Sequence, residues 1–326
     1  MSTLAPPIHR ARNIALRLVG TAVALSWVFT QVRPQDALGA FADMPLWLLC
    51  VPFLGMVTTT ILQGARLSLM MGAAHAPVSF LGCVGVVCRA SFAGLLLPSG
   101  GQEVAKLALL ARGTGQMPAA VTTVLGVRLL QLPTWILLLG WGIGSGFLDA
   151  DPVLRTTAMV FIAAAFGVLG LTVLSARGMG SGLLDRLPRA VAERVHRFGS
   201  VWGQVGRERR TLAGVLLLGI PLVVVHSMVV AAVMRGFGTP LALPEVFAIL
   251  PSMDLLVWLP VSIGGIGMRE SVFIHALSLR GIPTTTALAI GMVRWTGELA
   301  RAVIGCMLLL HSGLAGPMNE KSESQQ

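Results

Sequence analysis

Polar positions gather into a few short stretches of the chain. Between them lie apolar runs of about 20 residues, the length that crosses a hydrocarbon core of about 30 Å as a helix rising 1.5 Å per residue. Full-length runs occupy residues 13–31, 45–65, 118–143, 152–175, 211–234 and 283–310. Two further runs are interrupted. The one from 78 to 97 stops at Leu97-Pro98-Ser99-Gly100-Gly101 and is followed by 102–112, too short to cross. The one at 245–261 stops at Ser262-Ile263-Gly264-Gly265-Ile266-Gly267 and is followed by the equally short 268–279. The pattern predicts an all-α polytopic membrane protein, with about six full transmembrane helices and two broken re-entrant helical hairpins.

Composition narrows the alternatives. Hydrophobic residues make up 55% of the 326, charged residues only 12%, and the mean hydropathy is +0.80. Soluble domains carry roughly 25% charged residues, disordered chains carry few apolar groups, and membrane barrels alternate apolar and polar positions instead of running in blocks. None of these fits. The net charge of +10 is concentrated near the N-terminus and at 177–210. Excess Arg in such places marks cytoplasmic loops facing anionic lipid and does not suggest a nucleic-acid partner. Arg10, Arg12 and Arg17 therefore place the N-terminus in the cytoplasm, and six crossings return the C-terminus there.

The same count puts 177–210 on the cytoplasmic side as a basic amphipathic insert, and the acidic Leu148-Asp149-Ala150-Asp151-Pro152 loop outside. With no A-x-A-like site after it, 13–31 is expected to be a retained span. One integral membrane domain, 1–326, is expected. Its halves are 13–145 and 211–311, with a disordered tail at 315–326. Cys50, Cys83, Cys88 and Cys306 lack metal or redox spacing, and no cofactor is implied.

The two breaks resemble each other. Pro98, Ser99, Gly100-Gly101, Glu103, Arg112-Gly113, Pro118 and Val127-Arg128 recur in order as Pro260, Ser262, Gly264-Gly265, Glu270, Arg280-Gly281, Pro283 and Val293-Arg294. Under the topology above the two hairpins enter from opposite faces, the inverted repeat of many secondary transporters. Gly-rich breaks expose backbone that lipid cannot satisfy, so they must be buried in protein or line a wet cavity. Helix N-termini at such breaks favour an anion.

The segments LPSGGQEVAKLALLARG and LPVSIGGIGMRESVFIHALSLRGIP resemble the two signature segments of the lysylphosphatidylglycerol synthase transmembrane, or flippase-like, family. Pro260, Ser262, Gly264, Gly265, Gly267, Arg269 and Glu270 fit the second signature. The first departs from the usual L-P-G-R-x-G-G-D, with Lys106 where an Arg is expected. The resemblance implies a multi-pass protein of the bacterial inner membrane associated with lipid translocation.

Ionisable residues inside a membrane cost about 2.5–3.5 kcal/mol each on the insertion scale and so require partners or a function. Arg89, Lys106, Arg128, Asp254, Arg269, Arg294, Glu298 and Arg301 fall in or beside the broken elements, as do Glu103 and Glu270. Arg294, Glu298 and Arg301 share one helical face, where internal neutralisation is expected. The cations outnumber the acids, which suits an anionic phosphate that Arg binds bidentately. His226 reads as a hydrogen-bonded packing histidine, with a proton relay as the sharper alternative. The expected site therefore comprises these ionisable residues with Ser99, Gly100, Gly101, Ser262, Gly264, Gly265 and Gly267, binding a membrane lipid such as an anionic phospholipid or a polyprenyl-phosphate-linked head group.

Translocation of that lipid is the expected function. The alternative is a non-catalytic partner presenting lipid to a synthase or glycosyltransferase through 177–210. No metal, Ser-His, nucleotide-fingerprint or Walker motif appears in the sequence, so an enzyme is not expected.

Overall fold

Away from water a chain rich in Leu, Val, Ala and Gly can satisfy its backbone only within each segment, and helices follow. The computed structural model describes residues 45–97, 100–146, 149, 151–176, 203, 205, 208–258 and 268–315. Outside them lie the expected first span at 13–31, nearly all of the basic insert, the tail, Ser99 of the first break, and the second break with Ser262, Gly264, Gly265 and Gly267. The described helices are α1 (Trp47–Ala73), α2 (Phe80–Leu96), α3 (Gly101–Thr114), α4 (Met117–Leu129) and α5 (Leu132–Gly144), then α6 (Pro152–Ala176), α7 (Arg209–Gly236), α8 (Leu243–Trp258), α9 (Met268–Ser278) and α10 (Thr284–Ala315).

These bounds follow the apolar runs with two differences. α1 does not stop near Arg66. It continues to Ala73 because Leu67, Met70, Met71 and Ala73 are all buried. The run expected as one crossing at 118–143 is two helices, separated at Leu130 and Gln131. Pro133, in the first turn of α5, has no N–H to return to the carbonyl of Leu129, and its ring crowds that carbonyl.

Trp47–Ala73, Met117–Gly144 and Arg209–Gly236 are each long and apolar enough to cross a membrane. No more than half of the most apolar stretch of each is buried inside the protein. Leu54, Ile61, Leu137, Trp141, Leu217 and Met228 point outward, an apolar surface suited to a lipid environment. The chain is a multi-pass helical membrane protein.

Helices meet where one side lacks a side chain, as expected where backbones must approach without a hydrophobic drive between them. A Cβ on Gly55 would lie 2.3 Å from Val229, and one on Gly236 would lie 2.5 Å from Leu48, so α1 and α7 run antiparallel. α10 approaches α1 at Gly297, against the carbonyl of Pro52, and α2 at Gly305, against the carbonyl of Cys88.

Two buried clusters mark opposite ends of this bundle. One gathers Leu67, Met70 and Met71 of α1, Cys83 and Val87 of α2, Leu110 of α3, Ala120 of α4 and Val215 of α7. The other gathers Leu48 of α1, Leu138 of α5, Phe161 of α6, Met234 of α7, Phe247 of α8, Leu277 of α9 and Ile290 of α10. α1 and α7 contribute to both. The opening of α2 and the closing half of α3 share the first cluster, whereas the opening of α8 and the end of α9 share the second.

Candidate functional site

The first hairpin turns at Gly100, whose φ of 83° lies in the left-handed region that favours glycine. No side chain caps α3 there. α2 and α3 close on each other just beyond the turn. Gln102 Nε2 donates to Ser91 Oγ at 3.1 Å, and a Cβ on Gly94 would meet that of Gln102 at 2.9 Å. Gly101 is equally confined, against Leu97. This packing aims the first turn of α3, with Glu103, at α4.

Glu103 Oε1 accepts from Lys106 Nζ at 2.9 Å and from Arg128 Nη2 at 2.6 Å. One carboxylate oxygen thus bridges two cations on successive helices. Lys106 is 8% exposed, and close enough to Arg301 for their charges to interact. Arg301 is 9% exposed, and its Nε is buried without a hydrogen-bond partner. Arg89 Nε is in the same condition. The two belong to one seam, because Arg301 lies one turn before Gly305, whose Cα side abuts Cys88 and Arg89. Arg128 in turn lies within electrostatic reach of Arg66. The arrangement places several cations along α2, α3, α4 and α10 with Glu103 between two of them, and buried positive charge such as that of Lys106 and Arg301 is costly unless an anion offsets it.

About 10 Å further along α10, at 1.5 Å per residue, stands a second polar group. Arg294, 7% exposed, bonds His226 of α7 (Nη1 to Nε2, 3.1 Å). A guanidinium has only donors, so Nε2 of His226 accepts and the ring carries its proton on Nδ1. The adjacent Trp295 donates from Nε1 to Glu270 Oε1 at 2.8 Å, which ties α10 to the first turn of α9. Glu298 lies on the same helix, between Arg294 and Arg301. Asp254 lies on α8 and Arg269 on α9, with their side chains outside the described set.

The base of the second hairpin is fixed as well. Glu245, in the first turn of α8, accepts from Arg280, just past α9, so the hairpin begins and ends at one place. His275 of α9 meets Asp151 of the acidic loop at 2.5 Å.

Several contributors were not picked out from the sequence. Arg66 is 2% exposed, and it donates from Nε to the carbonyl of Val215 at 3.1 Å, from Nη1 to Gln131 Oε1, and from Nη2 to the carbonyl of Val127 at 3.0 Å. Gln131 passes the connection on to the carbonyl of Gly219 at 3.3 Å. The guanidinium thereby fills the break between α4 and α5, where the N–H of Gln131 turns to Arg128 and leaves the Val127 carbonyl to another donor. The signal was present in the chain, since Leu67-Ser68-Leu69-Met70-Met71 carries the apolar run beyond Arg66.

Residues 14–295 match the family described as Lysylphosphatidylglycerol synthase TM region, and the chain belongs to that family. No curated protein matches it.

Proposed function

We propose that this family member, itself non-catalytic, binds the anionic head group of a membrane lipid and carries it across the bacterial inner membrane. Both termini then lie in the cytoplasm, and the two hairpins are re-entrant halves of an inverted repeat. They meet near mid-bilayer and alternate in exposing the site. The observation that carries the reading is the excess of buried cations around one bridging acid. Glu103 bridges Lys106 and Arg128, Arg301 lies near Lys106 at the α2–α10 seam that also holds Arg89, and the Nε atoms of Arg89 and Arg301 lack acceptors. A phosphate supplies the missing negative charge and enough oxygens to take bidentate bonds from Arg. The apolar outer face keeps the acyl chains in lipid while the head group crosses.

The re-entrant reading draws support from the shared poles. Each hairpin's outer ends lie together, and the two poles are opposite. At 1.5 Å per residue, α3 with 14 residues and α9 with 11 fall short of a hydrocarbon core of about 30 Å.

The test is a proteoliposome assay with the purified chain and a fluorescent phosphatidylglycerol. Transbilayer movement above that of empty vesicles is expected, and it should drop at least about tenfold in Arg301→Gln. Movement no faster than in empty vesicles refutes translocation.

A further inference from the structure

Resting on the anion site proposed above, we infer that Glu103 is a resident counter-anion, holding in the empty protein the place that the ligand's phosphate takes when it binds. A carboxylate between two cations is ordinarily a clamp, and the geometry here departs from a clamp in three respects. First, both bonds fall on Oε1, and no hydrogen bond reaches Oε2 among the described residues. Oε2 is not fully buried, so the carboxylate is held from one side only. Second, the acid is too small for its surroundings. Arg301, on a third helix, reaches the field of Lys106 but receives no acceptor at Nε, and Arg89 is left in the same way. A single carboxylate cannot span α2, α3, α4 and α10, whereas a phosphate presents two or three oxygens in a tetrahedral array.

Third, the acid is able to leave. The side chains of Glu103 and Arg128 keep 20% and 35% of their exposure, so neither is locked in, and a rotamer change suffices to swing the carboxylate aside. Glu103 also stands in the first turn of a helix whose N-terminus has no side-chain cap, an end whose partial positive charge favours an incoming anion. Exchange of one anion for another keeps the charge of the pocket nearly constant through the cycle. Lys106 and Arg128 then never face each other bare in a low-dielectric interior.

A clamp and a counter-anion respond oppositely to Glu103→Gln. Both lose thermal stability without ligand. A clamp also loses ligand affinity, because Lys106 and Arg128 drift, whereas a counter-anion gains it, because its competitor is gone. The experiment titrates the full chain in detergent with short-chain phosphatidylglycerol and, separately, with inorganic phosphate, reading binding by intrinsic Trp fluorescence and by ligand-induced thermal shift. About tenfold tighter binding by Glu103→Gln is expected, with a larger thermal shift than in the unaltered protein. Arg301→Gln should weaken binding in either background. A gain with phosphatidylglycerol alone assigns the recognised phosphate to a lipid head group, and a gain with both assigns recognition to the phosphate itself.

If Glu103→Gln does not fold, Glu103→Asp replaces it. The shorter acid cannot bridge both cations, so an intermediate gain is expected, and a loss overturns the inference. Equal or weaker binding by Glu103→Gln, with the unaltered chain binding normally, also overturns it and leaves the anion site standing. No binding of either ligand by the unaltered chain removes the site itself, and this inference with it.

Discussion

Replacing Gly305 by Ala tests whether the α2–α10 seam holds the cation cluster together. The added Cβ would lie 2.0 Å from the carbonyl oxygen of Cys88, 2.5 Å from its carbon and 3.0 Å from the nitrogen of Arg89. All three are backbone atoms, so no side chain can rotate out of the way. Restoring ordinary contact requires the helices to part by on the order of 1 Å, and overpacking of this kind costs typically 1–3 kcal/mol. The upper part of that range is expected here, because the clash falls where small residues let two membrane helices touch. Gly291→Ala is the control on the same helix, since a Cβ there meets nothing within 4 Å. It should be neutral, or slightly stabilising through the better helix propensity of Ala.

The assay is reversible unfolding in mixed micelles, paired with the anion titration. Gly305→Ala should lose about 2–3 kcal/mol and bind anions more weakly, because parting α2 from α10 separates Arg89 from Arg301. Gly291→Ala should change neither. If the two variants are indistinguishable, the seam does not position the site and the reasoning fails.

Arg66→Leu should cost about 2–4 kcal/mol in the same unfolding assay, since it removes three charged donations and strands a buried Gln131 oxygen. A loss below about 1 kcal/mol would mean that the break at Leu130 and Gln131 is held by something else. Single cysteines at Gly113, past the middle of the first hairpin's return, and at Ser278, the end of the second, should react with membrane-impermeant maleimide from opposite sides. Labelling from one side would dismantle the inverted relation. Arg280→Ala should cost less than about 1 kcal/mol despite removing an ion pair at the hairpin base, because Arg280 is largely exposed and such pairs are weak.

The helices were legible in the sequence because a membrane interior permits almost no other backbone, so run length and Gly-Pro interruptions translate directly into elements. Gly100 could be identified as a turn, and Glu103 as a first-turn acid, for the same reason. The break near Gln131 was legible in principle through Pro133, but a proline inside an apolar run usually only kinks a helix. What the sequence could not convey is rotation about helix axes. Arg294 and Glu298 share a face at i,i+4 spacing, yet the guanidinium bonds His226, 68 residues away in the chain. Arg66 reads as the polar end of a span until the carbonyls of Val127 and Val215, on two other helices, are brought to it. Such partners are set by tertiary packing, and no local spacing announces them.

The contact of Gly305 with Cys88 also bears on how the chain is made. Translation delivers α2 to the bilayer long before α10 exists, with some two hundred residues still to be read, and domains form in the order their parts emerge. Until α10 arrives, Arg89 must wait beside lipid or a passing insertion factor, and the polar centre of the protein is assembled long after its first half has entered the membrane.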